Sequence, residues 1–245
     1  MKMSKIYVIG IGPGEADMMT AQALAALTEC DVIIGYKAYT ELVADRFPDK
    51  EIIPSSMREE TDRCEKCVAM ARSGRTVALI CSGDAGVYGM ASPMLEIAAK
   101  EGFDDIEVIP GVTAALSGAA VLGAPLGHDH CVISLSDLLT PWDVIARRLT
   151  CAAKGDFCMA IYNPASHKRA DYLQRACEVL LETLPPDTVC GYVRNIGRSG
   201  CSHKICTLAN LAGEKVDMFT TVFVGNSKTY VENGKMITPR GYDLK

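Results

Sequence analysis

Lys5-Ile-Tyr-Val-Ile-Gly-Ile-Gly-Pro-Gly14 is an apolar β run that ends in a glycine-rich loop, and a helical pattern follows it. Glycine permits positive φ and close approach, while Pro13 fixes its φ at about −65° and removes one amide donor. A strand, loop and helix in this order are typical of an α/β sheet that binds ligands at its strand ends. The sequence therefore predicts a backbone here that a ligand can approach closely.

The loop does not fit the dinucleotide-binding fingerprint. That motif needs glycine or alanine where this chain has Glu15, and the carboxylate would point at a pyrophosphate. The ribose-binding acid expected about 20 residues further on is also missing, because Asp31 stands at the start of the second strand rather than at its end. We therefore expect a ligand loop that does not serve NAD.

Length and composition are those of a globular protein. The 245 residues suffice for two modest domains, with 49% hydrophobic and 22% charged residues. The net charge is −5 and no basic stripe stands out, so a nucleic-acid partner is disfavoured, and locally placed arginines must meet any anionic ligand. No apolar run reaches the roughly 18 residues of a membrane span, and the N-terminus leads directly into a strand. We therefore expect a cytoplasmic protein with no membrane partner.

Eleven cysteines without an export signal are interpreted as reduced thiols rather than as disulfides. Most of them, such as Cys30, lie in apolar runs and fit small core residues. Cys64 and Cys67 have a spacing that can hold a metal, but Cys201 and Cys206 do not form the second C-x-x-C of a zinc site. Positions on a helix face are the alternative, and we expect no metal.

The first half of the chain alternates between strand and helix. Strand patterns cover residues 5–10, 31–35, 51–54, 76–81 and 106–109, and helical patterns cover 18–28, 59–73, 85–100 and 113–122. This series predicts a mostly parallel sheet with right-handed crossovers. The Gly- and Pro-containing segment 123–127 interrupts the series, and it separates predicted domains at 1–123 and 128–245.

The second half predicts another α/β unit. Strand patterns cover residues 131–135, 157–162 and 188–193, and helical patterns cover 142–152 and 166–184. The tail has strand patterns at 204–207 and 219–224 and a hairpin around the Asn-Gly pair of residues 232–235, so it is predicted to be antiparallel. We therefore predict two α/β domains, the first with a mostly parallel sheet and the second with a mixed sheet, and a ligand cleft between them.

Polar or small residues follow several strands where ligands bind in such folds. Asp84 fits either an N-cap of the next helix or, with Ser82 and Gly83, a loop that hydrogen-bonds a ligand. Thr113 fits a cap as well. Residues 162–163, Tyr-Asn, stand where a strand of the second half gives way to a helix.

Several motifs in this order resemble the tetrapyrrole methyltransferases that use S-adenosylmethionine, the family of corrin and sirohaem biosynthesis. They are VIGIGPGEADMMT, ICSGDAGVYGMA, VIPGVTAALSGAA and AIYNPAS. Four further stretches resemble the members that methylate C-17 of a precorrin-3 type macrocycle and contract its ring to precorrin-4 or cobalt-precorrin-4, in cobalamin biosynthesis. These are VIIGYKAYTELV, HDHCVISLSDLLTPW, YNPASHKRADYL and GYVRNIGRSG. The resemblance runs from Ile6 to Thr221, and it implies the family's two-domain fold and a homodimer.

The resemblance also assigns a site for S-adenosylmethionine, carried over position by position. Its residues are Pro13, Ser82, Gly83, Asp84, Ala85, Val87, Thr113, Ala114, Tyr162, Asn163, Thr221 and Val222. A sulfonium with an adenine needs an apolar trough, carbonyl dipoles and a few directional hydrogen bonds. Strand-end loops supply these without a phosphate site.

The implied chemistry sets the catalytic candidates. Methyl transfer depends on alignment and dry surroundings, whereas ring contraction needs a group that exchanges a proton with a substrate oxygen. Candidates for that group are Asp137, His128, His130, Tyr36 and Lys37. For either histidine a structural hydrogen bond is the alternative.

The macrocycle's carboxylates need placed cations, and arginine forks suit them. The substrate-binding candidates are Arg58, Lys37, Arg169, Arg194 and Arg198, with Gly12 of the first loop. An ordinary surface charge is the alternative for each cation.

Two other functions are left open. One is methylation of another carbon or another acceptor on the same fold, and the other is a non-catalytic tetrapyrrole carrier, which would need no S-adenosylmethionine. The sequence does not decide between a cobalt-containing and a metal-free substrate, although the abundant cysteine slightly favours an anaerobic, cobalt-first setting.

Overall fold

A computed structural model describes residues 4–166 and 168–243, so His167 of the predicted helix 166–184 lies outside the described residues. The chain forms two compact units, of which one ends at Ala114 and the other begins at Ala115. The domain limits of 1–123 and 128–245 stay a prediction. No helix within the described residues is long and apolar enough to cross a membrane.

The first unit contains a five-stranded parallel sheet. Its strands are β1 (Ile6–Gly10), β2 (Val32–Tyr36), β3 (Glu51–Ser55), β4 (Val77–Cys81) and β5 (Ile106–Ile109). They lie in the order β3-β2-β4-β1-β5, and every pair is parallel. All five strands therefore end at one edge, which we call the first carboxyl edge.

The helices of this unit follow the strands. They are α1 (Ala21–Glu29), α2 (Lys37–Thr40), α3 (Glu60–Arg72) and α4 (Ala91–Glu101), with 3-10 turns at Ala16–Met18 and Ala44–Arg46. α2 and the 3-10 turns are additions to the predicted pattern. β1 and β4 are buried throughout, as central parallel strands are. Alternate residues of β1 enter two cores, Ile6 and Val8 on one face and Tyr7 and Ile9 on the other.

The helix predicted over residues 85–100 begins only at Ala91. Tyr88 has a left-handed φ of 53°, which an α-helix does not accommodate. A Cβ at Gly89 would lie 2.5 Å from the carbonyl oxygen of Ala85. Residues 82–90 therefore form a long folded loop at the first carboxyl edge.

The second unit contains a mixed five-stranded sheet and a small three-stranded one. In chain order the strands are β6 (Gly123–Ala124), β7 (His130–Ser134), β8 (Cys158–Tyr162), β9 (Val189–Arg194), β10 (Ser202–Thr207), β11 (Thr220–Val224), β12 (Tyr230–Glu232) and β13 (Lys235–Ile237). The large sheet has the order β10-β9-β11-β8-β7, with β7 and β8 parallel and the other pairs antiparallel. The α/β class with a parallel first sheet and a mixed second sheet is thus confirmed.

The helices of the second unit cover its large sheet. They are α5 (Ala114–Leu122), which starts at the division between the units, α6 (Trp142–Lys154), α7 (Tyr172–Leu181) and α8 (Leu208–Leu211). α7 begins later than the predicted helix 166–184, because residues 166 and 169 first form an isolated bridge, and it ends earlier, at Leu181.

The predicted hairpin around Asn233 and Gly234 is present as β12 and β13, with positive φ at both turn residues. Its second strand pairs in parallel with β6. The first residues of the predicted boundary segment are therefore a strand of the small sheet, an outcome that no local pattern indicated.

Candidate functional site

Three loops interlock at the first carboxyl edge, after β1, β4 and β5. The amide of Gly12 donates to the carbonyl of Gly83 at 3.1 Å, and the amide of Gly83 donates to the carbonyl of Gly12 at 2.7 Å. The amide of Gly111 donates to Asp84 Oδ2 at 2.9 Å, while Asp84 Oδ1 accepts from the Gly86 amide at 2.8 Å. Backbone from three separate strand ends is thus joined into one rigid platform.

This junction has no room for side chains at its glycines. A Cβ at Gly10 would lie 2.6 Å from the carbonyl oxygen of Gly83, and one at Gly111 would lie 2.1 Å from the same atom. Gly12 has φ +76°, and a Cβ there would lie 2.7 Å from the carbonyl oxygen of Met18. The glycines are therefore required by the packing of backbone on backbone.

Asp84 does not cap the following helix. α4 begins at Ala91, seven residues after Asp84, and its N-cap Met90 makes no side-chain cap hydrogen bond. The N-cap interpretation of Asp84 is therefore wrong, and the carboxylate joins the second and third loops instead. Its contact with a ligand stays a prediction.

The predicted donor residues of the first unit all lie on these loops. Ser82, Asp84, Val87, Thr113 and Ala114 are half-buried, whereas Ala85 is fully buried in the core. No arginine or lysine occurs in residues 10–14, 82–90 or 110–114. The platform thus offers backbone dipoles and small side chains, without a cationic side chain.

Tyr36, Lys37 and Arg58 lie at the same edge, after β2 and β3. Tyr36 packs edge-on against Tyr39 with ring centroids 5.2 Å apart, and the Lys37 ammonium lies 3.9 Å from Glu41. Arg58 is exposed and has a left-handed φ of 69°. All first-unit candidates therefore share one edge of one sheet.

A second group of candidates gathers where β7 and β8 end, which we call the second carboxyl edge. Asp137 follows β7, while Tyr162 ends β8 and Asn163 follows it. Because β11 runs antiparallel to β8, its first residues Thr220 and Thr221 lie at this edge too. Arg194 ends β9 opposite Thr220, so it also lies here.

Asp137 and Arg169 are joined in a polar network at this edge. Arg169 Nη1 donates to Ser136 Oγ at 2.7 Å and lies 3.4 Å from Asp137 Oδ1, while Tyr172 donates to Asp137 Oδ2 at 2.5 Å. The hydrogen bond from Tyr172 is the largest cause that lowers the pKa of Asp137 below its ordinary value. Asp137 is therefore ionised at neutral pH and held in place by a tyrosine and an arginine.

Sequence reasoning missed Ser136 and Tyr172. Helical spacing could not have found them, because Arg169 lies in a bridge with Ser166 before α7 and Tyr172 is the first residue of that helix. Tyr172 also packs on Trp142, with centroids 4.9 Å apart, and Arg175 lies 4.0 Å from the Trp142 ring centroid. The network thus rests on a cation–π cluster.

His128 and His130 are separated from this group. β7 begins at His130, so both histidines lie at the amino end of the strand, whereas Asp137 follows its carboxyl end. A strand rises about 3.3 Å per residue, so the five residues of β7 place the two groups on opposite edges of the sheet. His128 Nδ1 accepts from the backbone amide of Asp129, an exposed local contact.

Arg194 and Arg198 already have protein partners. Arg194 Nη2 lies 2.6 Å from Asp217 Oδ2, and the Arg198 guanidinium carbon lies 5.3 Å from the Phe219 ring centroid. Asn195 and Gly197 between them adopt left-handed φ values. The turn after β9 therefore contacts the residues that immediately precede β11.

Tyr162 and Val222 contribute to the fold itself. Val222 is fully buried in the core, so its side chain has no access to a ligand. The hydroxyl of Tyr162 accepts from the Ala115 amide at 2.7 Å, in the first turn of α5. Tyr162 thus satisfies one of the amides that a helix start leaves unpaired.

We predict that Tyr162→Phe lowers the free energy of unfolding by about 1 kcal/mol, the usual contribution of a helix-capping hydrogen bond. Urea denaturation of both proteins measures it. Tyr230→Phe serves as the control, because Tyr230 is exposed and donates to no described residue, and it should change the free energy by less than about 0.5 kcal/mol. Equal effects of the two substitutions would contradict the capping role.

Cys64 and Cys67 are both fully buried on α3. Burial raises the pKa of Cys64 to about 11 and raises that of Cys67 as well, so neither presents a thiolate. In the part of the chain that the structure describes, no group of three or more His, Cys, Asp or Glu side chains is arranged to hold a metal. This geometry supports the interpretation of Cys64 and Cys67 as core residues on one face of α3.

Residues 5–212 match the family model of the tetrapyrrole (corrin/porphyrin) methylases. The chain therefore belongs to this family, and it is a methyltransferase. It is 47% identical over 98% of its length to the probable cobalt-factor III C(17)-methyltransferase of Salmonella typhimurium, whose whole length is covered. It is 44% identical over 98% of its length to the cobalt-factor III methyltransferase of Priestia megaterium, but spans only 46% of that longer protein. Among solved structures, the methyltransferase CobJ aligns with a TM-score of 0.91 and 38% identity, over 96% of this chain and 99% of CobJ.

Proposed function

We propose that this protein transfers a methyl group from S-adenosylmethionine to C-17 of a cobalt-factor III (cobalt-precorrin-3 type) macrocycle and contracts its ring, a step of cobalamin biosynthesis. The observation that carries the proposal is the 47% identity to the Salmonella typhimurium relative, which extends over the full length of that protein. The names of that relative and of the Priestia megaterium protein favour a cobalt-containing substrate over the metal-free precorrin-3B that the sequence alone left open.

The interlocked loops of the first unit fit a methyl donor. Their carbonyl groups can face a positive sulfur, and Asp84 adds a negative charge nearby. The carboxylate of Glu15, which replaces the last small residue of the dinucleotide fingerprint, disfavours a pyrophosphate in their place. We therefore assign the donor to the loops that contain Pro13, residues 82–87 and residues 113–114. Tyr162, Asn163 and Thr221 are retained as proposed contacts, and Val222 is retained as a contact through its backbone only.

In methyl transfer, a bond forms between the macrocycle carbon and the methyl group as the sulfur–methyl bond breaks, and S-adenosylhomocysteine leaves. The protein's part is to align the two reactants and exclude water. Ring contraction adds a proton exchange at a substrate oxygen, for which we propose Asp137 among the catalytic candidates. His128, Tyr36 and Lys37 are retained as alternatives, although His128 lies at the opposite edge of its sheet from Asp137.

Arginines are proposed to bind the macrocycle's carboxylates. Arg58 is exposed at the first carboxyl edge, and Arg169 is held beside Asp137 at the second. Arg194 and Arg198 would have to exchange Asp217 and Phe219 for the substrate. We further propose, from the family resemblance, that the protein is a homodimer, which light scattering of the purified protein would test.

Isothermal titration calorimetry is expected to show micromolar binding of S-adenosylmethionine or S-adenosylhomocysteine and no binding of NAD. The reasons are the platform of small residues and carbonyl groups, which suits a sulfonium, and Glu15, whose carboxylate opposes a pyrophosphate. Tight NAD binding would contradict the proposed site. Failure of both sulfur ligands to bind would favour the carrier.

The reaction is tested by incubating the enzyme with S-adenosylmethionine carrying a labelled methyl group and either cobalt-factor III or metal-free precorrin-3B. Mass spectrometry and the visible spectrum should show one added label and a contracted macrocycle from the cobalt-containing substrate. Label at another carbon, located by NMR, would identify a related methyltransferase instead. Binding of the macrocycle without label transfer would favour the carrier.

A further inference from the structure

Arg63 is a buried arginine whose hydrogen-bond partners are all uncharged. It lies in the first turn of α3 and is only 5% exposed. Its Nε donates to Ser55 Oγ at 2.6 Å, its Nη2 donates to the Ser56 carbonyl at 2.9 Å, and its Nη1 lies 3.5 Å from Met90 Sδ. No carboxylate among the described residues forms an ion pair with it.

Stability alone does not account for an arginine at this position. Burying a cation without a counter-ion is costly, and an apolar side chain of similar size is often as stable or more stable. The neighbouring core contains Cys64, Cys67 and Met90, so an apolar replacement would have suitable contacts. An apolar residue would lose the two hydrogen bonds by which the forked guanidinium of Arg63 binds the consecutive residues Ser55 and Ser56.

That fork fixes the end of β3. Ser55 is the last residue of β3, and its hydroxyl donates to the Gly35 carbonyl of β2 at 2.9 Å while it accepts from Arg63. The Ser56 carbonyl is held by the second arm of the guanidinium. The chain leaving β3 is therefore clamped at two successive residues before it reaches Arg58.

Arg58 is the residue that this clamp presents. Its left-handed φ of 69° is uncommon for a non-glycine residue, and such strain persists only where surrounding contacts impose it. Its side chain is exposed and bonds to no other described residue. The turn lies beside Tyr36, which pairs with Ser55 in the sheet register.

We propose that Arg63 is a positioning residue, which holds the turn after β3 so that Arg58 can bind a carboxylate of the macrocycle. This inference rests on the proposed function. Arg63 itself does not contact the substrate in this scheme. It acts through Ser55 and Ser56.

The test is a double-mutant cycle of Arg58→Met and Arg63→Met, assayed by steady-state kinetics with cobalt-factor III. Either single variant should raise KM for the macrocycle about tenfold, as expected for loss of one hydrogen-bonded charge contact. The kcat and the Kd for S-adenosylmethionine should each change less than about twofold. The double variant should be no worse than either single one, because both remove the same contact.

Two further variants serve as controls for the positioning role of Arg63. Arg72→Met is the matched control, since Arg72 lies on the same helix but is exposed and bonds to Glu101, and its KM should stay at the parent value. Arg63→Lys keeps the charge but cannot reproduce the fork, so KM should remain raised. Arg63→Lys also replaces Arg63→Met in the cycle if the methionine variant does not fold.

Additive losses in the cycle, parent-like KM in Arg63→Met, or full rescue by Arg63→Lys would overturn the positioning role. A parent enzyme that does not methylate cobalt-factor III would instead refute the proposed function, before any variant is compared. The same cycle is then run with the macrocycle that the enzyme does accept. If it accepts none, both proposals fail.

Discussion

Replacing Gly12 by valine is expected to lower the rate of methyl transfer by about 10²-fold or more, the loss that follows when reacting groups are displaced by about 1 Å. Gly12 has φ +76°, which a β-branched residue strongly disfavours, and any Cβ would lie 2.7 Å from the Met18 carbonyl oxygen. The loop must therefore shift. Because Gly12 exchanges two hydrogen bonds with Gly83, the shift reaches the second loop of the proposed donor site.

Gly74→Val is the matched control for this prediction. Gly74 also has a left-handed φ, +91°, but a Cβ at this position would have nothing within 4 Å, and the residue precedes β4 at the opposite edge of the sheet. Both variants should lose about 1–3 kcal/mol of unfolding free energy from backbone strain, and Gly12→Val should lose more because of the contact with the Met18 carbonyl. Single-turnover methylation should be slow only in Gly12→Val. Equal rates in the two variants would show that the first loop is merely a turn.

Replacing Asp137 by asparagine is expected to lower the rate of contracted product by about 10²- to 10⁴-fold, the usual contribution of one positioned acid or base. Asparagine keeps the shape of the side chain and can still accept from Tyr172, but it cannot take up a proton. The affinity for S-adenosylmethionine should be unchanged. A single-turnover assay with labelled donor follows label incorporation and the macrocycle's visible spectrum together.

Tyr172→Phe provides a second measurement on the same group. The hydrogen bond from Tyr172 is the main cause of the lowered pKa of Asp137, so its removal should raise that pKa towards the ordinary value. The acid limb of the rate profile should therefore move to higher pH, because the carboxylate becomes protonated sooner as the pH falls. Methylation and contraction at the parent rate in Asp137→Asn would exclude Asp137 as the proton acceptor.

Local sequence patterns predicted the sheets of this protein well. The apolar runs of β1 and β4 are long enough and bounded clearly enough by glycine to be recognised, and both are buried as expected. Parallel order then places all first-unit candidates at one edge, since every strand ends there. The Asn233-Gly234 turn was equally clear, because few residue pairs adopt two successive positive φ values.

Contacts between distant parts of the chain could not be predicted in this way. Asp84 was judged from its position before a helix, whereas its partner Gly111 lies 27 residues later. The pairing of β13 with β6 and the clamp of Arg63 on Ser55 also depend on the assembled fold. His128 was a candidate from its position just after the Gly- and Pro-containing segment, and the length of β7 separates it from Asp137.

The interlocked loops also determine when during folding the proposed donor site can form. Gly10, Gly83 and Gly111 meet only after β1 has paired with both β4 and β5, and the second of these pairings joins Ile6 to Ile106. Closing so long a stretch of chain is entropically costly and slow, so it belongs to the later events of folding. A nascent chain without β5 has no such platform. If the methyl donor binds this platform as proposed, its capture requires that β1, β4 and β5 have paired, and its binding energy stabilises those pairings.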